Sequence, residues 1–541
     1  MSLPLSEAKA EKRVETIILN PVLPGFHPDP SILRVADDYY IATSTFEWYP
    51  GVRIHHSKDL KHWRLCTHAL TRRSQLDMTG NPDSGGIWAP CLSFNNGIYY
   101  LIYTDVKTRW GNFKDTPNYL VTADRIEGPW SDPVYLNSSG FDPSLFHDDD
   151  GRHWLVNMLW DFRLGHNRFA GIVLQEYSTH EKHLVGRQKI IFRGTSLGWT
   201  EGPHLYKRNG WYYLMTAEGG TGYGHAVTMA RAKSITGPFE TDPMNPVVTP
   251  AHEPSWPLQK AGHGSLVETQ HGEWALVHLV GRQTADRFCT LGRETAIQRV
   301  FWTDDGWLRL ESGGRLPQLE IRKFDLPETP WPSEPTFDTF DAPILGSNWA
   351  TLREAPDPSW CSLIERPGYL RLRGRQSLSS FYRQSMVARR VTEFHCQAET
   401  EVEFKPENFQ QMAGLILYYD TIDFVYLRIT FDENYGKRVG LVRSCSAEWQ
   451  EFPESEQSLS DALPCRLKVV IDGPDAKFFY AVGKDAWRPV GPPVSILHMS
   501  DEGPKGFRFT GMFVGICAQD LSGSHCIADF SGFKLESASH T

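Results

Sequence analysis

Apolar and polar positions alternate in short runs along most of the chain, and the runs return in a fixed order. The stretch Gly25-Phe26-His27-Pro28-Asp29-Pro30-Ser31-Ile32-Leu33 sets an acidic group before small or Pro residues and then an apolar run. A strand-like aromatic segment led by Tyr39-Tyr40 follows. Trp88-Ala89-Pro90-Cys91-Leu92 precedes Tyr99-Tyr100 in the same way, and Asp142-Pro143-Ser144-Leu145-Phe146 precedes Trp154. Glu201-Gly202-Pro203-His204-Leu205-Tyr206 precedes Tyr212-Tyr213, and His263-Gly264-Ser265-Leu266-Val267 precedes Trp274. Counted from Asp29, Trp88, Asp142, Glu201 and His263, the units are spaced 59, 54, 59 and 62 residues apart. A repeat of this period, made of short β-rich runs, predicts an all-β five-bladed propeller. The first strand of each blade lines the central channel, so those five side chains are expected to converge on one axis.

Turn chemistry supports the same division. Asn96-Gly97, Asp149-Asp150-Gly151 and Asn209-Gly210 sit between apolar runs, as hairpin turns do. Glu127-Gly128-Pro129-Trp130 and Thr236-Gly237-Pro238-Phe239 form a second repeat that closes two blades. The blades end near Asp304-Asp305-Gly306-Trp307. Residues 326–336 are Pro-rich; Pro fixes φ and blocks sheet pairing, so a stiff linker is expected there. Beyond it the repeat stops, and strands at 413–417, 424–431 and 466–471 suggest a β-sandwich. The expected division is an arm over 1–18, the propeller over 19–325, the linker over 326–336 and the sandwich over 337–541.

Composition narrows the partners. The net charge is −10 with no basic block, which excludes a nucleic-acid face built on Lys and Arg. No apolar run approaches the length of a membrane span, so no membrane partner is expected. The nine Cys show no paired metal-ligand spacing, and the segment from Met1 to Glu15 carries no apolar signal core. Reduced thiols and a cytoplasmic location are the expectation. A homo-oligomer, dimer or tetramer, is also expected, though no residue pattern carries that reading.

The five channel positions carry three carboxyls, an imidazole and a flat aromatic face. Hydrolysis of a glycosidic bond takes two carboxyl groups flanking the linkage, one protonated and one ionised. Asp29 and Glu201 begin non-adjacent blades, so their carboxyls could flank a sugar. Asp142 begins the blade beside that of Glu201, and its charge would raise the Glu201 pKa and keep that group a proton donor. Taken alone, each of these residues has an ordinary explanation. Asp before Pro is a common turn signal, His263 could plug the channel as readily as bind a metal, and Trp88 could be core. The five shared repeat positions outweigh those separate explanations. A non-catalytic sugar-binding propeller remains the rival from another class, and an acid, a base and a tuning group on one axis speak against it.

Several stretches resemble the β-xylosidases of glycoside hydrolase family 43. They are residues 20–31, Ser44-Thr45-Phe46-Glu47-Trp48-Tyr49-Pro50-Gly51, Gly86-Ile87-Trp88-Ala89-Pro90, Phe141-Asp142-Pro143-Ser144 and Thr200-Glu201-Gly202-Pro203. Gly292-Arg293-Glu294-Thr295 and Phe507-Arg508-Phe509-Thr510-Gly511 extend the likeness over nearly the whole chain. The resemblance implies a five-bladed propeller joined to a lectin-like β-sandwich. It implies an exo-acting, inverting enzyme that releases xylose from the non-reducing end of β-1,4-xylooligosaccharides, with side α-L-arabinofuranosidase activity. A dedicated arabinofuranosidase is the alternative within the class. Asp29 would be the general base, Glu201 the general acid, and Asp142 the group that tunes and orients the acid. Phe46, Trp88 and Trp160 would wall the sugar pocket, and Arg293 would bind sugar hydroxyls. Phe509, or alternatively Phe507, would reach over the pocket from the sandwich. No cofactor is required; a calcium ion near His263 is compatible with the family, held largely through water.

Overall fold

The computed structural model describes residues 16–460, 464–504, 506 and 508–538. Five antiparallel four-stranded sheets span Ser31–Leu70, Gly86–Asn137, Ser144–Phe192, Glu201–Thr241 and Leu258–Leu310. They are the blades, and the first strand of each contains or directly follows one of the repeated motifs. Asn96-Gly97 and Asn209-Gly210 join the first two strands of blades two and four, with both residues of each pair at positive φ. That is the geometry a two-residue hairpin turn needs, and Asn and Gly tolerate it with the least strain.

Apolar faces of neighbouring blades pack into separate clusters around the ring. Tyr40, Ile54, Leu101 and Val121 join blades one and two, and Met215, Val227, Leu276 and Val280 join blades four and five. Ile32, Ile41, Val277 and Ile297 close the circle between blades five and one. Ile17–Leu19, the end of the segment expected to be an arm, is a strand that pairs with Glu320–Arg322 across this closure. Ile18 is buried in that last cluster, so residues 17 and 18 depart from the arm reading. The apolar Ile-Ile pair explains why: it covers the seam where chain start and propeller end meet. Thr16 joins the same seam, its carbonyl accepting from the Lys323 amide at 3.0 Å, and residues 1–15 lie outside the described residues.

Hydroxyls on the inner strands tie neighbouring blades together. Ser31 Oγ accepts from the Leu92 amide at 3.0 Å, Ser265 Oγ accepts from the Ile32 amide at 3.1 Å, and Ser144 Oγ donates to the Pro203 carbonyl at 2.6 Å. These bonds hold the channel rim rigid, which is what a constellation of converging side chains requires.

Two nine-stranded sheets form the C-terminal sandwich around a core that includes Leu415, Leu427, Leu467, Val469, Ile516 and Phe530. The strands expected at 413–417, 424–431 and 466–471 are Gln411–Tyr418, Phe424–Asp432 and Cys465–Asp472. The Pro-rich stretch has no regular structure and lies along blade one: the Thr329 amide donates to Asp59 at 2.8 Å, and Arg64 stacks over Trp331.

The two domains share a sheet and a core. Trp48–Tyr49 of blade one pairs with Ala350–Leu352 and adds a strand to one sandwich sheet. Trp48 is fully buried and stacks on Phe513 with ring centres 3.8 Å apart. Phe26, Phe46 and Trp48 pack with Leu352, Met386, Ile416 and Tyr418 in one cluster. At Gly292 a side chain would meet Gly511 Cα at 2.6 Å, so the two backbones approach closer than any Cβ allows.

Candidate active site

The inner strands set up the site through one unusual backbone position per blade. Asp29, Ala89, Asp142, Gly202 and His263 all have positive φ, between 37° and 55°. For residues other than Gly this left-handed conformation costs about 1–2 kcal/mol, and Asp and Asn accept it most readily. Four of the five precede Pro: Pro30, Pro90, Pro143 and Pro203. The equivalent positions are therefore 29, 89, 142, 202 and 263, and Trp88 and Glu201 each stand one residue earlier. This corrects the sequence alignment, which placed Trp88 and Glu201 in register with Asp29, Asp142 and His263. Blades two, four and five carry a β-bulge around this position in the inner strand, between Trp88 and Cys91, between Glu201 and His204 and between Gly262 and Ser265.

A cavity of 830 Å³ opens above these positions, and Asp29, Phe46, Trp88, Asp142, Trp160, Glu201, His263, Arg293 and Phe509 all line it. Phe507 lies outside the described residues. Ser44 Oγ accepts from the Ala89 amide at 2.7 Å, which leaves its own hydrogen to donate to Asp29 Oδ2, also at 2.7 Å. Arg293 Nη1 is 3.7 Å from Asp29 Oδ1. The same guanidinium donates to Thr221 Oγ1 and to the Phe509 carbonyl, both at 2.7 Å. It thus links the blade-one carboxylate, blade four and the sandwich.

Glu201 has different neighbours. Burial, then the Asp142 charge, then that of Asp29 push its carboxyl well above the usual range, against smaller opposing effects of Arg293 and Lys114. Burial and the Asp29 charge raise Asp142 as well, while the amide of Gly202 donates to Asp142 Oδ2 at 3.1 Å and favours its ionised form. Glu201 and Asp142 titrate as a pair, and the shared proton is best held by Glu201. The Gly202 bond also ties Asp142 to the backbone next to Glu201.

Flat rings form the walls. Trp88 meets Phe141 and Phe509 edge-on, at 5.4 and 5.6 Å between ring centres, and Phe46 packs beside Phe509 at 6.3 Å. Trp160 is anchored by its Nε1 donating to the Asn112 carbonyl at 2.8 Å, with Lys114 over its ring. His263 is buried at the floor. Burial lowers its pKa, with Arg293 adding to the effect and Asp29 opposing it. A side chain at Gly202 would meet the His263 ring at 3.0 Å, which accounts for Gly beside Glu201.

Residues 18–308 match the sequence pattern of glycosyl hydrolases family 43, and residues 337–536 match the β-xylosidase C-terminal concanavalin A-like domain. The chain belongs to glycosyl hydrolases family 43. Among its family 43 relatives, a xylosidase/arabinosidase 43B of Humicola insolens is 49% identical, covering 97% of this chain and 98% of its own. A β-xylosidase of Bacillus subtilis is 48% identical over 96% of this chain and 99% of its own. The crystal structure of a xylan β-1,4-xylosidase from Bacillus halodurans is 60% identical, with a TM-score of 0.95 over 96% of this chain and 100% of that one.

Several lining residues of this family 43 cavity were not singled out from the sequence. Thr221 sits in Gly219-Gly220-Thr221-Gly222, a Gly-rich turn that was a readable signal. Phe169 and Trp199 stack 5.4 Å apart at the mouth. Lys260 is buried at the cavity edge and pairs with Asp501 at 3.2 Å and with Glu502, both from the sandwich. These two acids lie some 240 residues from Lys260 along the chain, and no local pattern marks them.

Proposed function

We propose that this protein is an exo-acting, inverting β-xylosidase that takes xylose from the non-reducing end of β-1,4-xylooligosaccharides, with α-L-arabinofuranosidase as a side activity. The observation that carries the reading is one aromatic-walled cavity with three carboxyls at its floor and Phe509 of the sandwich across its wall. Such a site admits a chain end rather than the middle of a polymer. The names of the relatives support the sugar: xylosidase/arabinosidase, β-xylosidase and, in the solved structure, xylan β-1,4-xylosidase. A Vibrio relative at 45% identity is a xylan 1,3-β-xylosidase, so linkage is the feature to measure.

In this mechanism Glu201 enters protonated and gives its proton to the leaving glycosidic oxygen. Asp29, held by Ser44, takes a proton from water as that water attacks the anomeric carbon from the other face. The attack breaks the C–O bond with inversion. Asp142 orients the acid through Gly202 and keeps it loaded through its charge. Arg293 holds sugar hydroxyls near Asp29. A calcium ion beside His263 would take one imidazole nitrogen from that residue and would need oxygen ligands, water among them, for the rest, because a hard cation prefers oxygen. No step uses it.

All nine cysteines are free thiols, which supports a cytoplasmic enzyme, and no helix of the described residues is long and apolar enough to cross a membrane. A dimer or tetramer remains our proposal for the assembly. Steady-state rates on β-1,4-xylobiose, β-1,3-xylobiose and nitrophenyl arabinofuranoside test the reading. The 1,4-linked substrate is expected to give the highest kcat/KM, and a preference for the arabinoside would instead favour a dedicated arabinofuranosidase.

A further inference from the structure

Away from the cavity floor, the sandwich brings together three side chains of different ligand chemistry. Asp423 opens the strand pair at Phe424–Asp432, Cys445 ends the strand Gly436–Cys445, and His498 follows the strand Val494–Ser495. A carboxylate oxygen, a thiol sulfur and a ring nitrogen from these three all lie within 4.8 Å of one another. Asp423 is fully buried, His498 is 6% exposed, and Cys445 is half-buried, so the cluster has one side open to solvent.

Asp423 is partnered on both oxygens, Oδ1 by the Ser446 amide at 2.8 Å and Oδ2 by Arg508, whereas the imidazole beside it is loosely held. Neither ring nitrogen of His498 closes a hydrogen bond, although the backbone of Ser444 and of Ser495 faces the ring. His498 Nε2 stands 4.0 Å from Asp423 Oδ1. The buried hydroxyl of Ser446, next to Cys445, also lacks a partner. The nearby cations are Arg508 and Arg443, and Arg508 is already paired with Asp420 and Asp423.

We propose that Asp423, Cys445 and His498 form a binding site for a thiophilic divalent cation of the zinc class. One O, one S and one N donor suit a tetrahedral zinc with water as fourth ligand, and a small closure of the three groups brings them to bonding distance. Binding would release the thiol proton to solvent, and the backbone facing His498 would hold its second ring nitrogen. The site has a route to the cavity. Arg508 donates to Asp423 and to the carbonyls of His498 at 2.5 Å and Ser500 at 2.9 Å. Its neighbour Phe509 walls the cavity. An ion joining Asp423 to His498 would therefore stiffen the anchor of Phe509.

The test uses the full chain, stripped with a chelator, reloaded with Zn²⁺ or Co²⁺ and dialysed. Wild type is expected to retain one metal per chain, to show a thiolate-to-cobalt charge-transfer band, and to melt higher with Zn²⁺ than without. Cys445→Ala, at a half-buried position that the fold tolerates, is expected to lose the band and the melting shift, and His498→Gln to retain less metal. No metal retained by wild type, cobalt bound without a thiolate band, or equal retention by Cys445→Ala would each overturn the proposal. Because the readout is metal content, it stands or falls independently of the xylosidase reading.

Discussion

Asp29 and Glu201 reach one cavity from non-adjacent blades, and their surroundings differ in kind. Asp29 is met by a hydroxyl donor and a guanidinium, Ser44 at 2.7 Å and Arg293 at 3.7 Å. Asp29 is itself buried, so burial alone does not separate the two; at Glu201 the charges of two carboxyls add to burial and push it up, outweighing Arg293 and Lys114. The backbone differs too. Asp29 occupies the left-handed position itself, while Glu201 precedes it and projects from a bulged strand. The lesson is that a repeat can supply the same scaffold five times and still set two carboxyls in different surroundings.

The comparison breaks most completely if the base is removed. Asp29→Ala is expected to lower kcat/KM by about 10⁴-fold on every substrate, because water must be activated whatever group leaves. Azide should restore turnover on activated substrates. Next in size, Glu201→Ala should cost about 10²–10⁴-fold on xylobiose but far less on a nitrophenyl xyloside, whose leaving group departs without a proton. Equal losses on both substrates would remove Glu201 from the acid role.

Asp142→Asn sharpens the contrast rather than abolishing it. Glu201 must be protonated to act, so activity is lost as pH rises through its pKa. Removing the Asp142 charge lowers that pKa and moves the alkaline limb of the kcat/KM profile to lower pH. Burial, the larger cause, remains, so the limb should move only part-way toward the ordinary carboxylate range. An unmoved limb would leave Asp142 as an anchor for Gly202 alone. The smallest effect is expected at Phe509→Ala, about tenfold in kcat/KM on xylobiose with the melting temperature little changed, since Phe509 is only partly buried against its cluster.

Much of this was legible in the chain. The period, the Asn-Gly turns and the Pro-rich boundary follow from local chemistry; the period located the blades and five of the cavity residues, while Phe46, Trp160, Arg293 and Phe509 came from the family resemblance. The register was not read correctly, although the signal existed: Pro30, Pro90, Pro143 and Pro203 mark the equivalent positions, while the alignment followed the reactive side chains instead. The contributions of Asp501, Glu502 and Arg508 were not legible, because domain packing brings them to the cavity across hundreds of residues. The strand Trp48–Tyr49 escaped for the same reason, since its partner Ala350–Leu352 belongs to the other domain.

The division of labour between Asp29 and Glu201 is tested most directly by the anomer of the first product. Inversion requires space for a water between the two carboxyls, which sets them roughly 6.5–9.5 Å apart. Proton NMR of xylobiose hydrolysis at early times should show newly released xylose from the non-reducing unit as the α anomer, with β-xylose from that unit appearing only by mutarotation. Release of β-xylose first would mean retention and a covalent intermediate, and would contradict the assignment of Asp29 as a base.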